Sequence, residues 1–365
     1  MIDQRPGIVS VGTWLPQSVM EAADIAAETG LPEWVIRTKM GITRKHVADR
    51  DVHPNEMALY AAQDCLSRTD IDPADIDVVL CTTEEWREYL CWTSGIDLAY
   101  RLGATNAWAL DIHARCVSTV SALKLAKSLM FSDPEINTVL IAGGYRLSDL
   151  INFKNKHTSF MWNIGTGAGA LLLRKGHGQN ILLGTHQIAD GYMSRHVVVP
   201  ASGTVQFPTD EAVADKQFFF DLVEPELMKN RLNAVSMDNW LTCVDEALRK
   251  SGSSSSGNPL TRSDIDFLNC LLIKPSAYKQ MLQELGLSRE QGVYLGHIGH
   301  IGEQDMMFGI REGLAQGRLN DGDLMAVVAA GIGYVWGAAI VRWGKPPYLE
   351  GRESIRQRVK RKSER

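Results

Sequence analysis

The chain has 365 residues, of which 45% are hydrophobic and 22% are charged, and these values exclude a disordered or fibrous protein. Its formal net charge of −5 gives no general affinity for nucleic acid. Since no apolar run approaches ~18 residues and no basic start precedes an apolar stretch, we expect a soluble, cytoplasmic protein with neither a membrane span nor a secretory signal.

The first half of the chain alternates short apolar strands with helices. The predicted strands are residues 7–14, 77–82, 108–112, 138–142 and 169–173, and the predicted helices are residues 55–68 and 117–130. We expect Gly143 and Gly144 to end the strand at 138–142. Strands that are apolar on both faces, with helices between them, indicate a layered α/β fold.

The second half repeats this alternation, which predicts two similar lobes, residues 1–175 and 176–345. Its predicted helices are residues 238–250 and 277–285, and its predicted strands are residues 266–273, 324–330 and 338–343. A Ser-rich stretch at 251–258 is expected to be a surface loop. Residues 346–365 are expected to form a basic, flexible tail, with recruitment of an acidic carrier protein or an anionic surface as the alternative.

Cys116 is the first candidate for a functional residue. A short strand leads through a turn at Ala114 and Arg115 to Cys116, which opens the helix predicted at 117–130. The N-terminus of a helix carries partial positive charge and free N–H groups, which favour a thiolate and can hold a developing oxyanion. From the residues alone, a nucleophile and a buried structural thiol both remain open. The six cysteines form no CxxC pair, so neither a disulfide framework nor a zinc site is predicted.

The second candidate is the segment at 296–305, GHIGHIGEQD, which combines glycines with His297, His300 and Asp305. A histidine can move a proton near neutral pH and a carboxylate can orient it, although a hydrogen-bonded loop without chemistry is the alternative. The spacing matches no zinc signature. A third segment, 331–337, is a Gly-rich turn whose backbone at Ile332 and Gly333 could hold an anion or could only let two strands pack.

These segments resemble the β-ketoacyl-ACP synthase III branch of the thiolase superfamily, over nearly the whole chain up to Trp343. The likeness lies in residues 33–42 (EWVIRTKMGI), 111–116 (DIHARC), 165–170 (GTGAGA) and 331–343 (GIGYVWGAAIVRW). It implies an α/β thiolase fold, with two similar lobes in a layered α/β/α/β/α arrangement, and a homodimer. It also implies that Cys116 accepts an acyl group from a CoA or acyl-carrier-protein thioester, with no permanently bound cofactor.

The resemblance assigns further residues. Trp34 resembles the family's tryptophan that touches the nucleotide of CoA, and Arg37 and Lys39 are expected to line the entrance for CoA or phosphopantetheine beside it. The alternative for these residues is a surface helix with ordinary charges. Glu84, after the strand at 77–82, resembles the acid/base of the hydroxymethylglutaryl-CoA synthase branch, with a solvated surface acid as the alternative.

The likeness also departs from the family pattern of Cys, His and Asn. The place of the Asn falls on His300, and no histidine occurs from residue 251 to 295, where the usual His would lie. Residues 299–305 instead match a Gly-His-x-Gly-x-x-Asp element of divergent relatives, several of which transfer an acyl group to a hydroxyl or amine in specialised metabolism. We therefore predict an acyltransferase in which His300, oriented by Asp305, is the base, with His297 as a second candidate.

Two other functions remain open at this point. One is a carbon–carbon-forming enzyme of the synthase III type in fatty acid or polyketide biosynthesis, or of the hydroxymethylglutaryl type. The other is a non-catalytic subunit that supports a partner synthase. The presence of Cys116 argues against the second of these.

Overall fold

The computed structural model describes residues 4–201, 203–253 and 257–344. The strands are β1 (Pro6–Trp14), β2 (Val19–Glu21), β3 (Arg44–His46), β4 (Val78–Cys81), β5 (Trp108–Asp111), β6 (Thr138–Tyr145), β7 (Gly167–Lys175), β8 (Ile181–Ala189), β9 (Val197–Val198), β10 (Asp221–Leu222), β11 (Phe267–Cys270), β12 (Leu324–Gly331) and β13 (Val335–Arg342). The α-helices are α1 (Ala22–Thr29), α2 (Glu33–Val35), α3 (Pro54–Ser67), α4 (Ser94–Leu102), α5 (Ser118–Ser132), α6 (Asp210–Ala214), α7 (Pro225–Arg249), α8 (Pro275–Glu284) and α9 (Asp305–Ala315). A π-helical turn, Ile36–Met40, continues α2.

One mixed sheet of nine strands runs through the molecule in the order β11-β12-β13-β8-β1-β7-β6-β4-β5. In the first half, β4 pairs in parallel with β6, while β6, β7 and β1 pair antiparallel. In the second half, β11 pairs in parallel with β12, while β12, β13 and β8 pair antiparallel. The shared pairing order agrees with the expectation of two similar lobes, whereas their boundary at residue 175 stays a prediction.

The helices cover the sheet in corresponding places. Helix α3 packs on β1, β6 and β7, and α7 packs on β8 and β13 in the other half. Helices α5 and α9 each contact strands of both halves, since α5 touches β6, β8 and β13 while α9 touches β1, β7 and β11. Cys116 lies just before α5, which begins at Ser118, and His300 lies shortly before α9, which begins at Asp305.

Strand β6 differs from its prediction, because it continues through Gly143 and Gly144 to Tyr145. A Cβ atom on Gly144 would lie 1.9 Å from the carbonyl oxygen of Pro54, and one on Gly143 would lie 2.4 Å from Thr82 Oγ1. The two glycines therefore allow close packing against the start of α3 and the end of β4, and they do not form a turn.

Several other elements depart from the predicted bounds or lie outside them. Helix α7 begins at Pro225 and not at residue 238, and β11 ends at Cys270. Helix α9 was not predicted, although its first residue is Asp305. The expected tail at 346–365 and residues 254–256 of the expected loop lie outside the described residues. In the part of the chain that is described, no helix combines the length and the apolar character needed to cross a membrane.

Candidate active site

Cys116 lies in the turn between β5 and α5. Val117 is the N-cap of α5, so the cysteine directly precedes the cap of that helix. Arg115 adopts a left-handed conformation with φ of 54°, which is uncommon for a residue with a side chain and turns the backbone sharply before the cysteine. A Cβ atom on Gly331 would lie 3.1 Å from the Cys116 nitrogen, so the last residue of β12 lies against the backbone of the candidate nucleophile.

His300 and Asp305 form a hydrogen-bonded pair. His300 Nδ1 lies 2.6 Å from Asp305 Oδ2, which also accepts a hydrogen bond from the Leu272 N–H at 2.8 Å. Asp305 Oδ1 accepts from the Ile301 N–H at 2.7 Å. The two backbone N–H groups thus hold the Asp305 carboxylate in place. The carboxylate in turn orients the His300 imidazole, whose Nδ1–H donates to it. Nε2 is then the ring nitrogen left to face Cys116.

The charge of His300 depends on both of its neighbours. Burial alone would lower the pKa of His300, but the charges of Asp305 and Cys116, together with hydrogen bonds to both, raise that pKa to about 10. An imidazolium at neutral pH therefore faces the Cys116 sulfur, which is the arrangement that stabilises a thiolate.

The backbone of His300 is held from both sides. Its N–H donates to the Asn163 carbonyl at 2.8 Å, and its carbonyl accepts from the Gly165 N–H at 2.8 Å. Gly299 precedes it with φ of 93°, and a Cβ atom there would lie 2.6 Å from Lys45 Cβ. Only glycine combines this conformation with this close approach, so Gly299 sets the position of the histidine.

A cavity of about 650 Å³ extends from Cys116. Glu84, Tyr145 and His300 line it beside the cysteine. Most of its remaining wall is apolar and comes from α7, from the turn at 332–334 and the start of β13, and from residues 31–40 and 271–277, with Trp240, Tyr334, Trp336, Val35, Met40 and Ile273 among the side chains. Such a volume accommodates an organic substrate of considerable size.

Glu84 is a buried acid of this cavity, only 1% exposed, and the alternative of a solvated surface residue is wrong. Its Oε2 accepts a hydrogen bond from Arg115 Nη1 at 3.2 Å. Its Oε1 is buried and has no hydrogen-bond partner among the described residues. Burial raises the pKa of Glu84 above its usual value, against the opposing charge of Arg115, so the carboxyl tends to hold a proton.

Of the three residues expected at the CoA entrance, the structure brings one to the cavity. Lys39 lines the cavity. Trp34 is 59% exposed and does not contribute to the described wall, and Arg37 donates to Glu33 Oε1 at 2.7 Å on the same helical turn. Trp34 and Arg37 therefore lie on the surface beside the segment from which Lys39 reaches the cavity.

Of the remaining predicted site residues, His297, Ile332 and Gly333, only Ile332 lines the cavity. His297 is not brought to Cys116, because its imidazole is 44% exposed and lies 3.7 Å from Glu312 Oε1. Ile332 lines the cavity, whereas Gly333 does not belong to the described wall. The roles of Ile332 and Gly333 in holding an oxyanion stay predictions.

Sequence analysis missed two buried groups beside the cysteine. Tyr145, the last residue of β6, lines the large cavity, and burial raises its pKa well above the usual value. Glu303 lines a second, very small chamber with Cys116, and its Oε2 has no hydrogen-bond partner among the described residues. The sequence feature that could have indicated Glu303 is the second acid in the GHIGEQD segment. The feature that could have indicated Tyr145 is a single tyrosine at the end of an apolar strand.

Comparisons with known proteins agree with this architecture. Residues 110–191 match the family described as 3-oxoacyl-[acyl-carrier-protein (ACP)] synthase III, and residues 256–343 match the C-terminal part of that family. The chain is 28% identical over 344 residues to the β-ketoacyl-[acyl-carrier-protein] synthase III of Campylobacter fetus subsp. fetus, which covers 93% of this chain and 99% of the relative.

Solved structures show the same fold. The β-ketoacyl-[acyl carrier protein] synthase III of Thermus thermophilus is 25% identical, with a TM-score of 0.76 over 93% of this chain and 99% of the other. A priming β-ketosynthase from a polyketide biosynthetic pathway is 19% identical, with a TM-score of 0.78 over 95% of this chain and 99% of the other. The predicted α/β thiolase fold is confirmed.

The link between Cys116 and His300 predicts a measurable change in titration. In Cys116→Ala, the charge and hydrogen bond of the thiol are lost, so the pKa of His300 should fall from about 10. NMR titration of the His300 ring protons would measure it, with Cys91→Ala, an exposed cysteine, as the control. An unchanged His300 pKa in Cys116→Ala would contradict the proposed contact.

Proposed function

Because the chain is a β-ketoacyl-ACP synthase III-like protein of the thiolase superfamily, and hence of a transferase family, we propose that it loads an acyl group on Cys116 and transfers it to a hydroxyl or amine. The acyl donor in this proposal is a CoA or acyl-carrier-protein thioester. The observation that carries the proposal is the His300–Asp305 pair, whose imidazole faces Cys116 in the large cavity.

The loading step follows from the charges at the site. The imidazolium of His300 stabilises the Cys116 thiolate, which attacks the carbonyl carbon of the donor thioester. The tetrahedral intermediate collapses, the carbon–sulfur bond to the donor breaks, and the donor leaves as a thiol that takes the proton from His300. The neutral imidazole then faces an acyl-cysteine.

The transfer step uses the same imidazole as a base. His300 Nε2 accepts the proton of the acceptor hydroxyl or amine as the oxygen or nitrogen attacks the acyl-cysteine. Asp305 stabilises the resulting imidazolium through Nδ1. Expulsion of the Cys116 thiolate restores the starting pair. A non-catalytic subunit has no need for this buried, hydrogen-bonded arrangement.

A second candidate function is carbon–carbon bond formation. It is favoured by the relatives, which are β-ketoacyl-ACP synthases III along almost the whole chain, and by the buried Glu84 beside Cys116, which could deprotonate a carbon acid. Incubation of the acyl-enzyme with a malonyl thioester together with an alcohol and an amine separates the candidates. Release of carbon dioxide with a β-keto product would favour condensation, and an ester or amide without carbon dioxide would favour the proposed transfer.

Single-turnover kinetics test the proposed base. Cys116→Ala should abolish the covalent acyl adduct seen by intact-protein mass spectrometry. His300→Ala should still load from acyl-CoA at a reduced rate, but its transfer from the pre-acylated enzyme should be ~10²–10⁴-fold slower, which is the usual contribution of a general base.

His297→Ala is the matched control, because this histidine lies on the same segment with its imidazole directed at Glu312. Its transfer rate should stay close to that of the unmodified protein. If transfer survives in His300→Ala and fails in His297→Ala, the assignment of the base is wrong.

We also propose that Lys39 and Trp34 mark the entrance for the donor, since Lys39 lines the cavity and the exposed Trp34 lies on the same helical segment. Lys39→Ala and Trp34→Ala should raise the KM for acyl-CoA severalfold, because a phosphate contact or a stacking surface is lost. Steady-state kinetics would measure this, with Lys250→Ala as a control for simple loss of charge. Unchanged KM values in both variants would contradict the entrance.

We further propose a homodimer that forms at β5. This strand ends the nine-stranded order, and Trp108 on β5 is 46% exposed while Tyr100 on the neighbouring α4 is 85% exposed. Trp108→Glu should weaken self-association by burying a charge at the interface, as measured by analytical ultracentrifugation. Phe131→Glu, an exposed aromatic residue at the end of α5, is the control. A monomeric unmodified protein at micromolar concentration would contradict the dimer.

A further inference from the structure

We infer that the acceptor is a primary amine on an apolar carbon skeleton, which the protein binds as an ammonium ion through Oε1 of Glu84. This inference rests on the proposed transfer from Cys116 and narrows its acceptor to one chemical class. Glu84 and Cys116 line the same cavity, and Glu84 contacts Arg115, the residue directly before Cys116, so a group bound to the carboxyl is within reach of the acyl-cysteine.

One buried carboxyl oxygen of Glu84 has no hydrogen-bond partner among the described residues. The side chain is 1% exposed, one oxygen accepts a hydrogen bond from Arg115, and Oε1 has no partner among the described residues. A buried polar atom without a partner is unfavourable, so a donor supplied by a ligand would gain more here than at the surface. An ammonium group offers three such donors.

The charges around Glu84 also favour a cationic ligand. Arg115, the cation in contact with Glu84, also donates to Glu85 and is shared between two acids. After acylation, His300 loses the partner charge of Cys116 and can become neutral, which removes one positive charge from the site. The surroundings of the acyl-cysteine therefore favour a cationic ligand, and an unpaired ammonium would be costly to bury without such a carboxylate.

A hydroxyl acceptor would make no use of this arrangement. It brings no charge, and deprotonation by His300 alone suffices for its attack. An ammonium must lose one proton before its nitrogen can attack and another as the amide forms, so it needs two proton acceptors near the thioester. Burial raises the pKa of Glu84 toward the range in which a carboxylate can take a proton from an ammonium.

In the proposed transfer, Glu84 accepts one proton of the ammonium and His300 accepts another. The protonated Glu84 releases its proton to solvent when the ammonium binds, and it takes one proton back from the ammonium to give a free amine. The nitrogen attacks the acyl carbon, a carbon–nitrogen bond forms, and the nitrogen gives its second proton to His300. The carbon–sulfur bond breaks, which yields an amide, the Cys116 thiolate and the His300 imidazolium.

The cavity wall indicates the rest of the acceptor. Trp240, Tyr334 and Trp336 line it from α7 and from the region around β13, and the Trp240 ring is fixed because its Nε1 donates to the Ala329 carbonyl at 3.1 Å. Aromatic side chains in a cavity of about 650 Å³ suit an alkyl or aryl skeleton.

The test compares matched acceptors on the acyl-enzyme. Cys116 is loaded with whichever of acetyl-, octanoyl- and benzoyl-CoA gives the largest adduct, and transfer is measured at pH 7 to hexylamine against 1-hexanol and to 2-phenylethylamine against 2-phenylethanol. The unmodified protein should prefer the amine of each pair. Glu84→Gln should lower the amine-to-alcohol ratio by about tenfold or more, since an unpaired buried charge is strongly rejected.

Glu303→Gln is the matched control, because it removes a buried acid beside Cys116 that lies outside the large cavity, and its ratio should change little. Glu84→Asp keeps a carboxylate, so its amine-to-alcohol ratio should fall less than that of Glu84→Gln. Circular dichroism confirms that the variants fold.

The outcomes separate the inference from the proposed function. Transfer to alcohols but not to amines, or an equal ratio in Glu84→Gln and Glu303→Gln, would overturn the amine inference and leave acyl transfer standing. Neither ester nor amide with any pair, together with carbon dioxide release from a malonyl thioester, would overturn both.

Discussion

The carboxylate of Asp305 is the interaction on which the candidate site depends. It accepts hydrogen bonds from His300, from the backbone of Ile301 and from the backbone of Leu272, which lies just beyond β11. Because Asp305 is also the first residue of α9, this carboxylate joins a helix, a strand end and the glycine-rich segment at one point. Its two backbone donors make the position of the imidazole a property of the fold and not of a flexible loop.

A second consequence concerns the charges around Cys116. The His300 imidazolium lies between the Cys116 sulfur, the proposed thiolate, and the Asp305 carboxylate, while burial raises the pKa of Glu84 and of Glu303 and favours their neutral forms. Two ionised acids at these places would repel the thiolate, so burial of both supports the nucleophile. The same burial makes Glu84 responsive to any cation that enters the cavity, because a positive charge would shift its balance toward the carboxylate.

Much of this arrangement could be predicted from the chain. Cys116 was found because a strand, a sharp turn and a helix follow one another in the sequence, and His300 and Asp305 were found because their segment concentrates glycine, histidine and acid. The burial of Glu84 could not be seen, because its polar neighbours are typical of a surface loop. The cavity could not be seen either, because its wall is assembled from segments that are distant in sequence, and only the tertiary fold brings Trp240 near Cys116.

The resemblance to the family places His300 where the family pattern has an asparagine. In the family pattern, a histidine beyond β11 and an asparagine near α9 act on a carbonyl, whereas here the segment after β11 contributes a backbone N–H to Asp305. The segment beyond β11 thus supports the acid that orients His300. The sheet, the cysteine turn and the two inner helices need not move for this exchange, since only side chains at the ends of elements differ. Under the proposed function, the placement of one base and its carboxylate lets the acyl-cysteine react with an oxygen or nitrogen nucleophile in place of a carbon nucleophile.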